Sequence, residues 1–239
     1  MSHSKPDYGK DGNPKSLVIS LCTIMLVDVL LFLASSTLLR IAAYLLLAFG
    51  LVFLSLTAWL VLYIWFGKLN HRDALLSLVE WKGNESVLDI GTGRGLLMIG
   101  AAKKLHEGKV IGIDIWRQQD LAGNAPEGAL HNAELEGVSD RIEIRNEDIR
   151  ETSFPSGFFD VVLSNLCLHN IAGKEGRNRA CREIARVLKP GGVAVIADGF
   201  YIRDYRDVFE KEGMEVKIVR AKFPPTFLWL TAAVGRKRK

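Results

Sequence analysis

The sequence predicts an α/β domain on an open, mostly parallel sheet, entered through a pair of membrane-spanning helices. Three observations carry this reading. Val87-Leu88-Asp89-Ile90 reads as the end of a buried parallel strand; it runs into a glycine turn, Gly91 to Gly95, and then a helix with Leu96, Leu97, Ile99, Ala101 and Ala102. Apolar strands that end in an acid recur at residues 110–114 and 193–198. From residue 16 to residue 67 the only formal charges are Asp28 and Arg40, and 17–39 and 41–67 are each long enough to cross a hydrocarbon core of ~30 Å as a helix.

Composition divides the chain accordingly. Residues 1–15 are polar, with Gly, Pro and Lys, and read as a disordered tail. Residues 16–67 read as a transmembrane helical hairpin, and 68–239 as the functional domain. About a dozen apolar residues at roughly −0.5 kcal/mol each outweigh one Asp at about +3, so the segment holding Asp28 inserts. Asp28 is open to two uses, an interhelical hydrogen bond or contact with a polar headgroup. A signal peptide cleaved near Ala34-Ser35-Ser36 is the rival reading, but the segment is long for one and a second apolar span follows at once. Lys5, Lys10 and Lys15 precede the first span and Lys68 and Arg72 follow the second, whereas only Arg40 lies near the turn, so both ends are expected in the cytoplasm. The net charge of +4 does not indicate nucleic acid. Cys22, Cys167 and Cys181 lie far apart with no CxxC pair, which excludes a disulfide framework and a zinc set and fits a reducing compartment.

The elements follow in order. Lys68-Leu69-Asn70-His71-Arg72 marks the membrane exit. Residues 73–79 form a short amphipathic helix, either a lid over the site or a linker. The glycine turn departs from the dinucleotide fingerprint: the third glycine comes one residue early, at Gly95, and Asp89 sits two residues before Gly91. A carboxylate there would repel a pyrophosphate but suits a ligand with a cationic ammonium. This pattern closely resembles motif I of the class I methyltransferases that use S-adenosylmethionine (SAM), and the resemblance continues over residues 80–234. It implies a Rossmann-like seven-stranded methyltransferase sheet with an antiparallel last strand, and SAM as cofactor.

Asp114 ends the second strand about twenty residues past the turn, where a carboxylate accepts from both ribose hydroxyls; a helix cap is the bland alternative. Asn124 can cap a helix with Pro126 in its first turn that closes at Gly137, with Asn132 structural. Residues 141–144 alternate as a third strand. In the family an acid follows it and accepts from the adenine amine; Asp148 resembles that acid, with Ile149 on the ring, and a surface turn is the alternative. Residues 158–165 form the fourth strand, and 164–170 then occupy the place where the methyl group is presented. Residues 177–188 are helical, and Arg186-Val187-Leu188-Lys189-Pro190-Gly191-Gly192 matches the family's turn before the fifth strand. A helix at 205–212 and strands at 215–220 and 227–234 complete the domain. Pro224-Pro225 leaves no room for a crossover helix, so the last pair is an antiparallel hairpin. The basic run from Arg236 to Lys239 reads as a solvated end, or a contact with anionic lipid.

The closest family resemblance is to the type 11 or quinone-methyltransferase-like enzymes. The expected cofactor set is Asp89, Gly91, Thr92, Gly93, Gly95, Asp114, Ile115, Asp148, Ile149 and Asn165. In-line transfer from a sulfonium needs mainly alignment, and a base only for an acceptor with a proton of high pKa. His169 is the candidate base and Asn165 a positioning group; a helix-start residue packed at the sheet edge is the alternative for His169. The amino-methylating signature Asn-Pro-Pro-Tyr is missing, and no nucleic-acid partner is expected. The expected protein is an integral membrane methyltransferase, its catalytic domain cytoplasmic, acting on a lipophilic or small-molecule acceptor. A protein or soluble acceptor, or SAM binding without turnover, are the alternatives.

Overall fold

A computed structural model describes residues 5–9, 14–33, 36–62, 67–119, 121, 123–220 and 231–239. The chain forms two compact units, Lys10–Phe66 and the combination of Met1–Gly9 with Gly67–Lys239.

The smaller unit holds helices α1 (Pro14–Phe32) and α2 (Thr37–Leu62), which pack against each other. Their close approach needs Gly50, where a β-carbon would lie 2.9 Å from Ile24 Cγ2; small residues let apolar helices meet in this way. Ser55 and Thr57 return their hydroxyls to Leu51 O and Phe53 O, both at 2.8 Å, so neither helix face carries an unsatisfied hydroxyl there. Leu38, Leu45 and Phe49 are exposed by about two thirds or more (76, 67 and 69%). Among the described residues one span, Thr37–Trp59, is long and apolar enough to cross a membrane. Asp28 is buried, and its carboxylate oxygens have no hydrogen-bond partner among the described residues, so the expected interhelical bond is not seen.

The larger unit is built on a seven-stranded sheet. Its elements are α3 (Lys68–Leu76), β1 (Ser86–Ile90), α4 (Leu96–Ala102), β2 (Lys109–Asp114), α5 (Pro126–Leu135), β3 (Ile142–Asn146), β4 (Phe159–Asn165), α6 (Lys174–Val187), β5 (Leu188–Asp198), α7 (Ile202–Lys211), β6 (Met214–Arg220) and β7 (Thr231–Lys237). The strand order is β3-β2-β1-β4-β5-β7-β6, with β7 antiparallel to both neighbours and the first five strands parallel. Each central strand is apolar on both faces, and the faces alternate: Val87, Val110, Val161 and Val195 join the core under α3 to α5, while Leu88, Ile111, Val162 and Ile196 join the core under α6 and α7. β1 pairs with β2 on one side and β4 on the other, so the chain reverses direction across the sheet there, and the crevice beyond those strand ends is where such sheets bind ligands.

Four expectations are corrected. Helix α3 begins at Lys68 rather than 73. Helix α6 passes directly into β5, so Lys189-Pro190-Gly191-Gly192 lies within the strand; the pairing slips between Phe159 and Val161, and a β-carbon on Gly192 would come within 2.9 Å of Asp160 O. The basic end is not wholly solvated: Lys237 is in β7, and its Nζ donates to Ala185 O (2.7 Å) and Leu188 O (2.9 Å), closing the C-terminus of α6. Finally, residues 5–9 of the expected disordered tail belong to the domain, with Asp7 N donating to Asn132 Oδ1 at 2.9 Å. Pro224 and Pro225 lie outside the described residues.

Candidate functional site

The site is assembled from loops at the carboxyl ends of β1, β2, β4 and β5. Gly91, Gly93 and Gly95 all take positive φ (67, 51 and 84°), which is why this turn needs glycine. Gly91 N and Thr92 N donate to Ile113 O of β2 at 2.9 and 3.1 Å, tying the turn to the neighbouring strand. A β-carbon on Gly91 would lie 2.3 Å from Cys167 Sγ, so the loop after β4 is packed on the turn.

Asp89 is buried beneath the turn. Its Oδ2 accepts from Thr92 Oγ1 (2.8 Å) and from Met98 N of α4 (3.0 Å). Burial pushes its carboxyl up to about 7, against those two hydrogen bonds, and the Asp114 charge adds to the rise. A buried carboxyl poised there gains most from a cation. Asp114 accepts from Gly93 N (2.9 Å), Trp116 N (2.8 Å) and Asn124 Nδ2 (3.3 Å). Asn124 is therefore not the expected helix cap; the N-cap position of α5 is Ala125. Asn124 Oδ1 is buried and has no partner among the described residues. An orphaned acceptor beside a carboxylate fits a ligand bringing hydroxyl or amine donors, as a ribose and an adenine do. The next residue, Ile115, is half exposed.

Asp148 and Ile149 are placed differently. Asp148 accepts from Arg150 N (2.8 Å) and Nε (3.0 Å), and the Arg150 bonds hold its carboxyl below the usual range. Ile149 is buried in the core under α6. Asp148 is thus pinned by Arg150 in a turn, and Ile149 packs into the core.

Toward β4 and β5 the site changes character. Asn165, the last residue of β4, has its Oδ1 3.0 Å from His71 Nε2. His71 is buried on α3, and burial lowers its pKa, so the ring is neutral and donates from Nε2; the amide nitrogen of Asn165 is then turned away from it. His169 lies in a single 3₁₀ turn, Leu168–Asn170, with Nδ1 2.7 Å from Asp198 Oδ1. Asp198 also accepts from His169 N (3.0 Å), Gly199 N (2.8 Å) and Tyr205 Oη (3.3 Å). Burial raises the Asp198 pKa, opposed by the neighbouring imidazole. Asp198, Tyr205 and His71 were not assigned from the sequence. The signal for Asp198 was an acid closing an apolar strand, as at Asp114; the signal for His71 was its placement four residues before Leu75 on the buried face of α3.

Among the described residues, three other than glycine take positive φ: Trp116 (56°), Leu166 (53°) and Tyr201 (59°), and they follow β2, β4 and β5 respectively. Each such conformation costs on the order of 1–3 kcal/mol and clusters at functional loops. Phe200, Tyr201 and Leu166 are 65, 45 and 39% exposed, and the Phe200 ring lies 6.0 Å from that of His169. An imidazole close to a buried carboxylate thus lies beside the exposed ring of Phe200.

Residues 88–196 match the family described as "Methyltransferase domain". An uncharacterized methyltransferase of Mycobacterium tuberculosis is 31% identical over 129 residues, covering 53% of this chain and 56% of that protein. A ribosomal protein L11 methyltransferase of Syntrophotalea carbinolica is 35% identical over 126 residues, covering 52% of this chain and 36% of that one. The chain thus spans about half or less of the length of these relatives. In fold, the chain is similar to a structure described as a SAM-dependent methyltransferase from Aquifex aeolicus, with a TM-score of 0.56, 18% identity, and coverage of 69% of this chain and 88% of that one.

Proposed function

We propose that this protein is a membrane-anchored, SAM-dependent methyltransferase acting on a lipophilic or small-molecule acceptor. The observation that carries the reading is the His169–Asp198 pair at the end of the sheet, bordered by exposed Leu166, Phe200 and Tyr201.

SAM supplies a methyl group already activated by the sulfonium. The chain's residues have to hold it and prepare the acceptor. The glycine turn would let the backbone approach the ligand, Asp89 would hold its ammonium, and Asp114 with Asn124 would take its ribose and adenine side. With Asp198 Oδ1 2.7 Å from His169 Nδ1, the proton belongs on Nδ1 and Nε2 is left as the basic nitrogen. Nε2 would then take the proton of an acceptor hydroxyl or amine as the acceptor is methylated, with S-adenosylhomocysteine (SAH) as the spent cofactor. Asn165, fixed by His71, offers its amide N–H to the acceptor or the cofactor edge. A non-catalytic SAM-binding protein has no use for a carboxylate-held imidazole, so that alternative is disfavoured.

The apolar border and the exposed apolar helices α1 and α2 favour a lipophilic acceptor reached from a membrane. A protein acceptor is the second reading, favoured by the relatives named for ribosomal protein L11. Incubating the full-length protein with methyl-labelled SAM and either membrane lipid extract or soluble extract separates them. The expected result is label in an organic-soluble product. Label confined to protein or water-soluble products would displace the lipid reading.

A further inference from the structure

We propose that Asp7-Tyr8-Gly9 is a strap that completes the cofactor site, positioning the glycine turn from outside. The proposal rests on the SAM site described above and extends it to a segment that precedes the apolar helices.

The strap is held at three places. Asn132 of α5 clamps it: its Oδ1 accepts from Asp7 N (2.9 Å), and its Nδ2 donates to Asp7 O (2.9 Å) and also to Arg94 O within the glycine turn (2.9 Å). Asn132 is 2% exposed, so this amide is a buried joint between strap and turn. The Asp7 carboxylate pairs with the Arg94 guanidinium, reaching the turn a second time. Beyond it, Tyr8 Oη donates to Glu136 Oε1 (3.0 Å), its ring packs on the core under α3 to α5, and Lys68 Nζ donates to Tyr8 O (2.7 Å) and Gly9 O (2.6 Å). Leu121 fills the space between: a β-carbon on Gly9 would lie 3.7 Å from its Cδ1, and one on Gly93 3.3 Å from its Cδ2.

The physical consequence follows from conformational entropy. A turn of three positive-φ glycines is loose on its own, and ordering it costs conformational entropy. Bonds to Arg94 from both the strap and Asn132 meet that cost before ligand arrives, so binding does not have to. Asp7 acts through Arg94 and is a positioning residue.

The test uses the full-length protein in detergent with SAH as the probe. Two variants are compared with the parent: one lacking residues 2–9, and Asp7→Ala, which keeps the Tyr8 packing and folds if the first does not. Titration calorimetry should give a Kd about tenfold weaker for the first and about threefold weaker for the second, within the range of one exposed ion pair. Hydrogen exchange in ligand-free protein should rise across residues 91–98 while the β4 and β5 amides stay protected. Parental SAH affinity in the variants, with unchanged exchange in the turn, would overturn the strap alone. A parent that fails to bind SAH would overturn the cofactor site and the strap together.

Discussion

Replacing His169 by Ala should slow methyl transfer to the labelled acceptor by about a hundredfold or more, while SAH affinity stays at the parental value. Asp198→Asn should act in the same direction, by at least tenfold, because an amide can hold the ring in the wrong tautomer. Initial rates together with SAH calorimetry check both; full activity in either variant would leave alignment as the whole mechanism. Asp89 makes a pH prediction. Its folded pKa of about 7 lies above the ordinary 3.8, so its contribution to the stability of ligand-free protein falls as pH rises from about 4 through 7. A bound ammonium favours the carboxylate, so binding releases a proton and affinity rises with pH. At pH 6 about a tenth of the carboxyls are ionised, so SAM should bind roughly tenfold more weakly there than at pH 8. Asp89→Asn should flatten that slope in calorimetry; an unchanged slope would remove Asp89 from the ammonium. Asp89 and Asp114 were legible because strand-ending acids beside a glycine turn have few other uses. His71 was hidden because, in sequence, it belongs to a basic membrane exit, and only the tertiary approach of α3 to β4 gives it Asn165.

Among the elements, the glycine turn and the loop after β4 act as one packed pair. Gly91→Ala meets two costs: a β-carbon at φ +67°, and a clash with Cys167 Sγ at 2.3 Å. The first is on the order of 1 kcal/mol and the second adds 1–3 by overpacking. In denaturant unfolding Gly91→Ala should therefore lose about 2–4 kcal/mol, and adding Cys167→Ala should restore the overpacking part only. Complete rescue would mean the backbone conformation costs nothing; no rescue would mean the clash is relieved elsewhere. The antiparallel last pair was readable from two alternating strands joined through Pro224-Pro225 with no room for a crossover helix. The β5 start was not: Pro190 and two glycines read as a turn, and only the shifted pairing with Asp160 and the carbonyl-closing Lys237 keep that stretch in the strand. The turn at Asp148 was likewise settled by a side chain, Arg150, that periodicity does not see.

At the scale of the whole molecule, the helix pair and the domain share their chain ends. Gly9 and Lys68 bracket the apolar segment in sequence, and Lys68 Nζ donates to Gly9 O at 2.6 Å. Gly9 and Lys68 are thus joined within one compact unit, and helices that enter a membrane keep that bond only by leaving on the side they came from. A single crossing would pull the clasp apart. The positive charges agree, since Lys5, Lys10 and Lys15 lie before the segment and Lys68 and Arg72 after it, with Arg40 alone near the connection. Together these predict a hairpin with both ends facing the cytoplasm, where its SAM supply is. Single cysteines at Ser4, Thr37 and Asn84, in a background with Cys22, Cys167 and Cys181 replaced, test this with an impermeant thiol reagent. Intact cells should label Thr37→Cys, and Ser4→Cys and Asn84→Cys should react only after permeabilisation. Reaction of Thr37→Cys from the cytoplasmic face would place the helices flat at the surface rather than across it. Protection of Ser4→Cys and Asn84→Cys on opposite sides would break the clasp, and with it the case for an acceptor delivered from the bilayer to a domain held at its surface.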